Sequence, residues 1–322
     1  KLNFMNNRNI EKLQEIIIRN LVPKINEDYA LLDIPNHCNI GDNLIWEGEL
    51  NFLKDNVNSK CKYSSNLFNF KDVNLEKINV ILFHGGGNWG DLYRECQDFR
   101  NEITERYTNK KIIVFPQTVW YNDKSLIEQD CAIYQKHPDV TICLRDKDSF
   151  DLLAKYISKD KLLLIPDMAF FVKIPVIAKG HKTLFMLRTD SEVGCCSSTF
   201  IPSGCDVKDW PTYSNNTYLL RAHLFLTKFF KILSVKMQNV PVLRGFVDPM
   251  YGLNKRNNRQ KYIRKGIDFL SQYDTIYTTR LHGLILGIIM GLKIVIVDNK
   301  YNKCLNFYNT WLTEFDDISL LK

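Results

Sequence analysis

The sequence has no apolar run long enough to cross a membrane. The longest such run, Leu284 to Val297, is shorter than the roughly 20 residues that a transmembrane helix needs, and it contains Lys293. No signal peptide is visible either. We therefore expect a cytoplasmic protein, and we leave open only a peripheral association with the inner face of the plasma membrane.

The sequence also lacks the cysteine patterns that build disulfide frameworks or zinc sites. Its nine cysteines are odd in number and scattered, without a CxxC pair. We expect reduced thiols and no metal. No internal repeat or low-complexity tract is present, and 45% hydrophobic and 25% charged residues are ordinary values for a globular protein.

Charge of one sign is not concentrated anywhere in the chain. Lysine and arginine total 43 against 36 acidic residues, which gives a net charge of +7. Proteins that bind nucleic acid usually gather their basic residues on one face. Because they are dispersed here, we expect no nucleic-acid partner, and the modest positive charge suits an acidic small substrate.

Strand and helix patterns alternate along the 322 residues. Such alternation predicts parallel sheets covered by helices on both faces, with ligands bound at the carboxyl ends of the strands. The predicted strands are Tyr29–Ile34, Val80–Phe83, Lys111–Phe115, Val140–Leu144, Lys161–Ile165, Thr183–Leu187, Pro241–Leu243, Thr275–Thr279 and Lys293–Val297.

A linker divides this alternation into two halves. The segment Phe171–Lys182 contains Pro175 and Gly180 and is the best candidate for an interdomain connection. We therefore predict an α/β protein with Rossmann-like parallel-sheet domains at 1–175 and 180–322, facing a cleft in a GT-B-like arrangement. This prediction includes the option that the last helix packs against the N-terminal domain.

Polar residues follow several of the predicted strands in the first half. Asp42 follows the first strand and occupies the position expected for a helix N-cap. Gln117, Arg145 and Asp167 follow later strands, so all of these residues should share one rim of the sheet. Asp42 can cap a helix and have a functional role at the same time, and its position alone does not show whether it has a functional role.

A glycine-rich run follows the second predicted strand. Gly85, Gly87 and Gly90 formally match the G-x-G-x-x-G pattern of dinucleotide-binding proteins. The next strand, however, ends in Pro116 and Gln117, with no acidic residue placed for a ribose hydroxyl. We therefore interpret the run as a floor of backbone N–H groups beneath a bound ligand.

The most informative stretch surrounds Arg280 and His282. A β-rich run ends there and opens into an apolar helix that Gly291 should stop. Backbone N–H groups, the helix dipole and a guanidinium together predict an anion site, and an imidazole beside it can carry protons near neutral pH. The alternative is that Arg280 is simply paired and that His282 caps the helix.

Two further elements of the second half bear on the partner. The stretch Gly194–Tyr213 is long for a loop inside a compact protein, and such loops are often functional. The predicted helix Thr217–Met237 carries basic residues among Leu and Phe. A membrane-surface role for this helix is one interpretation, but core packing with a solvated basic face is favoured.

Several short blocks in this order and spacing resemble the bacterial polysaccharide pyruvyl transferases. They span nearly the whole chain from about Asp33 to Lys303. The blocks are Asn39-Ile40-Gly41-Asp42, His84-Gly85-Gly86-Gly87-Asn88-Trp89-Gly90-Asp91, Pro116-Gln117, Leu187-Arg188-Thr189-Asp190, Arg280-Leu281-His282-Gly283 and Asp298-Asn299-x-Tyr301-x-Lys303.

The resemblance implies transfer of pyruvate from phosphoenolpyruvate to two sugar hydroxyls as a cyclic ketal, with release of phosphate. The acceptor would be a precursor of an exopolysaccharide, capsule or cell-wall glycan, and a lipid-linked oligosaccharide is left open. Phosphoenolpyruvate would be a co-substrate, and no other cofactor or metal is implied. Arg188 and Arg280 would provide guanidinium forks for its two anionic groups.

The same resemblance implies a set of site residues. Asp42 and His282 would be the general acid and general base, in either order. The substrate-binding residues would be Arg188, Arg280, Leu281, Gly86, Gly87, Asn88, Gln117, Arg145, Tyr301 and Lys303. Two alternatives stay open, namely a GT-B glycosyltransferase or sialyltransferase that uses a nucleotide sugar, and a non-catalytic glycan-binding protein.

Overall fold

The computed structural model describes residues 2–188, 201–213, 258–297 and 302–321. The helices are α1 (Leu2–Leu21), α2 (Ile40–Asn56), α3 (Arg94–Arg106), α4 (Ser125–Lys136), α5 (Lys147–Leu153), α6 (Arg259–Leu270), α7 (Leu281–Met290) and α8 (Lys303–Trp311). The strands are β1 (Tyr29–Leu32), β2 (Cys61–Ser65), β3 (Val80–Phe83), β4 (Gly86–Gly90), β5 (Lys111–Trp120), β6 (Val140–Leu144), β7 (Leu162–Leu164), β8 (Lys182–Met186), β9 (Asp206–Lys208), β10 (Tyr273–Thr278), β11 (Lys293–Ile296) and β12 (Ile318–Leu320).

The first sheet contains seven strands, all of them parallel. Their order is β2-β1-β3-β5-β6-β7, and β4 pairs with β5 outside this path. Strands β1 and β3 are apolar and buried at every position. Such continuous burial is typical of a parallel sheet that is covered on both faces, so the predicted α/β class is confirmed.

The second sheet contains five parallel strands in the order β12-β11-β10-β8-β9. The helix that follows β10 ends as predicted, because Gly291 adopts a left-handed conformation with φ of 68°. Strand β9 lies inside Gly194–Tyr213, so the described part of that stretch, 201–213, is not simply a loop.

The glycine-rich run contains a strand that was not among the predicted ones, because residues 86–90 form strand β4. This strand pairs with an extension of β5, matching Gly86 with Gln117 and Gly90 with Trp120. The extension passes through Pro116, where the pairing of β5 with β6 shifts register. A proline cannot donate a ladder hydrogen bond, so Pro116 suggested that the predicted strand ends at Phe115. The strand continues because proline is tolerated where the pairing is irregular.

Contacts across the chain join the two sheets. Ile40 and Leu44 of α2, together with Phe170, belong to the same apolar core as β10 and α7. A Cβ built on Gly266 of α6 would lie 2.8 Å from Ile40, so this glycine permits the close approach of α6 to α2. In addition, Trp311 of α8 donates its indole N–H to the backbone carbonyl of Arg145 at 2.7 Å.

Several predicted features lie outside the described residues. These are the helix Thr217–Met237, the strand Pro241–Leu243 and Tyr301. Within the described ranges, no helix is both long and apolar enough to cross a lipid bilayer. The cysteines described there are all free thiols.

Gly90 and Gly204 offer a matched test of why the glycine-rich strand needs glycine. Their φ angles are 117° and 79°, a region that L-residues rarely adopt. A Cβ on Gly90 would overlap the carbonyl oxygen of Trp120, whereas a Cβ on Gly204 meets nothing within 4 Å. Chemical denaturation should therefore show a loss of about 1 kcal/mol for Gly204→Ala and of about 3 kcal/mol or more for Gly90→Ala. Equal losses would contradict the steric argument.

Candidate active site

The candidate site lies where strand ends of the first sheet meet the start of α7 from the second. Six residues define what we call the strand-end cluster: Asp42, Gly87, Arg145, Asp167, His282 and Lys303. Parallel strands bring residues from distant parts of the chain to one edge. The sharing of one rim by Asp42, Arg145, Asp167 and the glycine-rich run, predicted from the sequence, is confirmed by these contacts.

The N-terminal ends of α2 and α7 touch each other. A Cβ built on Gly41 would lie 2.5 Å from Nδ1 of His282, so any larger side chain at position 41 would displace the imidazole. The first backbone N–H groups of a helix have no partner within the helix, and the positive end of the helix dipole lies there. The meeting point of α2 and α7 therefore favours a bound anion.

Asp42 is not the N-cap of α2, contrary to the prediction. Asn39 holds that position and accepts a hydrogen bond from the N–H of Gly41 at 3.0 Å, while Asp42 lies in the first turn. The amide of Asn39 also donates to Oδ2 of Asp42 at 2.7 Å. The prediction placed the cap too late because Asp and Asn are equally good caps and both occur in this stretch.

The electrostatic surroundings of Asp42 favour its ionised form. Burial opposes the charge, but His37, His282, His84 and Arg145 outweigh it and lower the pKa of Asp42. Its side chain is 27% exposed. Asp42 is therefore a carboxylate at neutral pH that an incoming molecule can reach.

Asp167 connects Arg145 with His282. Its Oδ2 accepts a hydrogen bond from Nη1 of Arg145 at 2.6 Å and lies 3.5 Å from Nε2 of His282. Burial would raise the pKa of Asp167, but the interaction with His282 and the charge of Arg145 hold it well below its usual range. A carboxylate in this position orients both the guanidinium of Arg145 and the imidazole of His282.

Arg145 and Lys303 converge on Gly87. A Cβ built there would lie 3.2 Å from Nη2 of Arg145 and 3.4 Å from Nζ of Lys303. Nε and Nη1 of Arg145 are engaged by Thr118 and Asp167, while Nη2 has no hydrogen-bond acceptor among the described residues. The glycine thus leaves room beside two cationic nitrogens, which is the arrangement that an oxyanion requires.

A second buried pair supports the backbone beneath the cluster. Oε2 of Glu49 lies 2.8 Å from Nδ1 of His84, and Oε1 accepts the N–H of Gly85 at 2.8 Å. Burial lowers the pKa of His84, but the charge and hydrogen bond of Glu49, together with the charges of Asp42 and Asp33, outweigh burial and raise it. Gln117 donates its side-chain amide to the carbonyl of His84 at 2.8 Å, so this predicted substrate-binding residue is used within the protein.

Asn88 is also held within the protein. Its side chain donates to Asp33 at 3.3 Å and accepts from Arg100 at 2.8 Å. Arg100 is fully buried and lies over the ring of Trp89, with its guanidinium carbon 5.6 Å from the centroid. This network holds strand β4 in place. The contact of Asn88 with a substrate stays a prediction.

The predicted arginine fork of Arg280 is engaged by Asp209. Nε and Nη2 bind the two carboxylate oxygens of Asp209, the latter at 2.6 Å, and both side chains are almost fully buried. This pairing agrees with the alternative considered for Arg280. Leu281 packs in the core of the second sheet, and the backbone N–H of Arg188 donates to Thr279 at 3.2 Å.

The structure thus brings together Asp42, Gly86, Gly87, Arg145, His282 and Lys303 of the predicted set. Sequence reasoning did not assign site roles to Asn39, Glu49 and His84. His84 opens the glycine-rich run directly after a strand, and that position was the available signal. Glu49 lies in mid-helix and is fully buried, which no local pattern indicates.

The pairing of Asp167 with Arg145 predicts a defined pH dependence of stability. A carboxyl whose pKa is depressed by folding contributes stability above its unfolded pKa, about 3.9, and loses it as pH falls through the folded value. The free energy of unfolding of Asp167→Asn should be about 3 kcal/mol or more below that of the wild type near neutral pH. This difference should narrow below about pH 4.

The exposed pair of Lys173 with Asp55 provides the control for this measurement. Their side chains are 73% and 37% exposed, so Asp55→Asn should cost less than about 1 kcal/mol. If urea denaturation gives a similar loss in the free energy of unfolding for both substitutions, the contact of Asp167 with Arg145 stabilises the fold no more than an exposed ion pair does.

Comparisons with known proteins point to one family. The family model described as polysaccharide pyruvyl transferase matches residues 39–301. "Putative pyruvyl transferase EpsO" of Bacillus subtilis (strain 168) is 28% identical, over 91% of this chain and 87% of that protein. "Pyruvyl transferase 1" of Schizosaccharomyces pombe is 30% identical, over 88% of this chain and 69% of that protein.

A solved structure also matches along the whole length. It is a functionally uncharacterised protein of Klebsiella pneumoniae, with a TM-score of 0.59 and 20% identity, covering 97% of this chain and 98% of that chain. At this identity the likeness shows the fold alone. The match of the family model over most of the sequence shows more: the chain belongs to the polysaccharide pyruvyl transferase family.

Proposed function

We propose that this chain transfers the pyruvyl group of phosphoenolpyruvate to two hydroxyls of a sugar, as a cyclic ketal, with release of phosphate. The reaction would take place in a GT-B-like cleft between the two sheets. The observation that carries the proposal is the convergence of Arg145 and Lys303 on Gly87, beside Asp42 and His282. Anion binding and proton transfer, both of which this reaction needs, are thereby available in one place.

The donor phosphate would lie against Gly87. Nη2 of Arg145 and Nζ of Lys303 face this glycine, and the N-terminus of α7 adds the positive end of a helix dipole. Arg280 binds Asp209 through Nε and Nη2, whereas Nη2 of Arg145 has no acceptor among the described residues. Arg145 is therefore the better candidate for the phosphate clamp, and Nζ of Lys303 faces the same glycine. Charge-assisted bonds of this kind stabilise a doubly charged phosphate without a metal ion.

The protonation states favour one order for the acid and the base. The lowered pKa of Asp42 makes it a poor proton donor at neutral pH, so it would accept the proton of a sugar hydroxyl. His282, oriented by Asp167 at 3.5 Å, would deliver a proton to the methylene carbon of the donor. In the complete reaction two hydroxyl protons are lost, one ends on the new methyl group and one leaves with the phosphate.

The proposal is tested by phosphate release from phosphoenolpyruvate in the presence of a panel of methyl hexosides and methyl N-acetylhexosaminides. We expect release that depends on the acceptor, and a new ketal methyl signal in the proton NMR spectrum. Asp42→Asn and His282→Asn should each lower turnover by roughly 10²-fold or more, while both variants fold normally.

Two outcomes would contradict this function. Consumption of a nucleotide sugar without phosphoenolpyruvate would indicate a glycosyltransferase. Saccharide binding that Asp42→Asn leaves unchanged, without phosphate release for any acceptor, would indicate a glycan-binding protein.

Gly87→Ala tests the position of the donor phosphate. The new Cβ would crowd Nη2 of Arg145 and Nζ of Lys303, while the backbone at Gly87 is not in the left-handed region. Calorimetry should show a dissociation constant for phosphoenolpyruvate that rises at least about tenfold, with the free energy of unfolding changed by less than about 1 kcal/mol. Unchanged donor affinity in a folded variant would place the phosphate elsewhere.

A further inference from the structure

The loop between β1 and α2 places a second titratable side chain against Asp42. Nε2 of His37 lies 3.6 Å from Oδ2 of Asp42. The side chain of His37 is 52% exposed, whereas that of Asp42 is 27% exposed. His37 is therefore the more solvent-exposed member of the pair.

The backbone that carries His37 is fixed in place. The side-chain amide of Asn43 donates to the carbonyl of His37 at 3.0 Å and to that of Asn39 at 2.8 Å. Asn39 in turn caps α2 and binds Oδ2 of Asp42. Consequently the backbone of His37 belongs to the same hydrogen-bonded helix start that contains Asp42.

Ketal formation gives such a neighbour a role when Asp42 serves both hydroxyls. Each turnover removes protons from two hydroxyls of the same acceptor, while a single carboxylate can hold only one proton at a time. Asp42 must therefore lose its first proton before it can accept the second. His282 lies on the donor side, beside Asp167, and serves the methylene carbon in the proposed function.

We propose that His37 is the proton relay for Asp42, taking the first hydroxyl proton from the carboxylate so that Asp42 is ionised again for the second hydroxyl. This inference rests on the proposed function. As the O–H bond of the first hydroxyl breaks, the oxygen's electron pair forms the bond to the pyruvyl carbon, the C=C electron pair of the donor takes the proton of His282, and the hydroxyl proton passes to Oδ2 of Asp42. That proton then moves to Nε2 of His37, and the resulting imidazolium releases a proton to water. The second hydroxyl gives its proton to the ionised Asp42 as its oxygen displaces the phosphate, which leaves with the C–O bonding pair and takes up one proton.

The charges around Asp42 fit this sequence. The groups facing it are His37 from the loop, His282 from α7, His84 from the end of β3 and Arg145 from the end of β6. Burial acts to raise the pKa of Asp42, but the neighbouring groups lower it on balance. Among these groups, His37 has the largest influence. Arrival of a proton on His37 thus favours the ionised carboxylate, as the second deprotonation requires.

The kinetic test compares His37→Gln and His37→Ala with His181→Gln. His181 is also exposed but precedes β8, at the amino end of its strand and away from the cluster. Phosphate release is measured with phosphoenolpyruvate and the methyl glycoside that gives the fastest wild-type rate. We expect kcat to fall about tenfold in both His37 variants, with the donor KM and the His181 control unchanged. Free imidazole should restore part of kcat in His37→Ala.

A second measurement does not depend on turnover. The carboxyl of Asp42 is titrated by ¹³C NMR, with Asp42→Asn used for assignment. In His37→Gln its midpoint should rise by roughly half a pH unit, because a neighbouring cation has been removed.

The outcomes separate the relay from the proposed function. Wild-type kcat in the His37 variants, or a loss that imidazole does not recover, would overturn the relay while leaving pyruvyl transfer intact. An unchanged Asp42 titration in His37→Gln would overturn the pairing itself. If the wild-type chain releases no phosphate with any acceptor, the proposed function fails and the relay fails with it, even where the titration confirms the pair.

Discussion

The rest of the site depends on the interactions that the buried carboxylate of Asp167 makes. It holds Arg145 from the neighbouring strand end and faces His282 from the second sheet. Its other oxygen accepts the N–H of Ala169 at 2.8 Å, at the start of the short 3₁₀ helix Met168–Phe171, and Phe170 of this helix lies in the core of the second sheet. One charged group therefore contacts a guanidinium, an imidazole and the junction of two sheets. Such a buried charge is tolerated only because its partners compensate its lost hydration.

The sequence predicted the features that depend on local patterns. Buried parallel strands appear as continuous apolar runs, and Gly291 ends α7 because a left-handed residue is needed there. Residues directly after strand ends, such as Arg145 and Asp167, were correctly placed on one rim. Their position follows from parallel topology alone, without knowledge of side-chain contacts.

The features that sequence reasoning missed depend on contacts between distant residues. Strand β4 is short and rich in glycine, a composition that disfavours strands, and it exists because the extension of β5 offers it a partner. The pairing of Arg280 with Asp209 joins residues 71 positions apart. A guanidinium at a helix N-terminus resembles an empty anion site until the carboxylate that occupies it is located in space.

The indole N–H of Trp311 donates to the backbone carbonyl of Arg145, a residue 166 positions earlier in the sequence. Closing so long a loop costs entropy before any favourable contact forms, and folding rates fall as such separations grow. The first sheet can therefore acquire its strands well before the residues around Arg145 reach their final arrangement. During synthesis, a chain that has emerged only as far as β7 contains every strand of the first sheet but lacks His282 and Lys303. Anion affinity should appear abruptly and late, as a marker of completed tertiary structure.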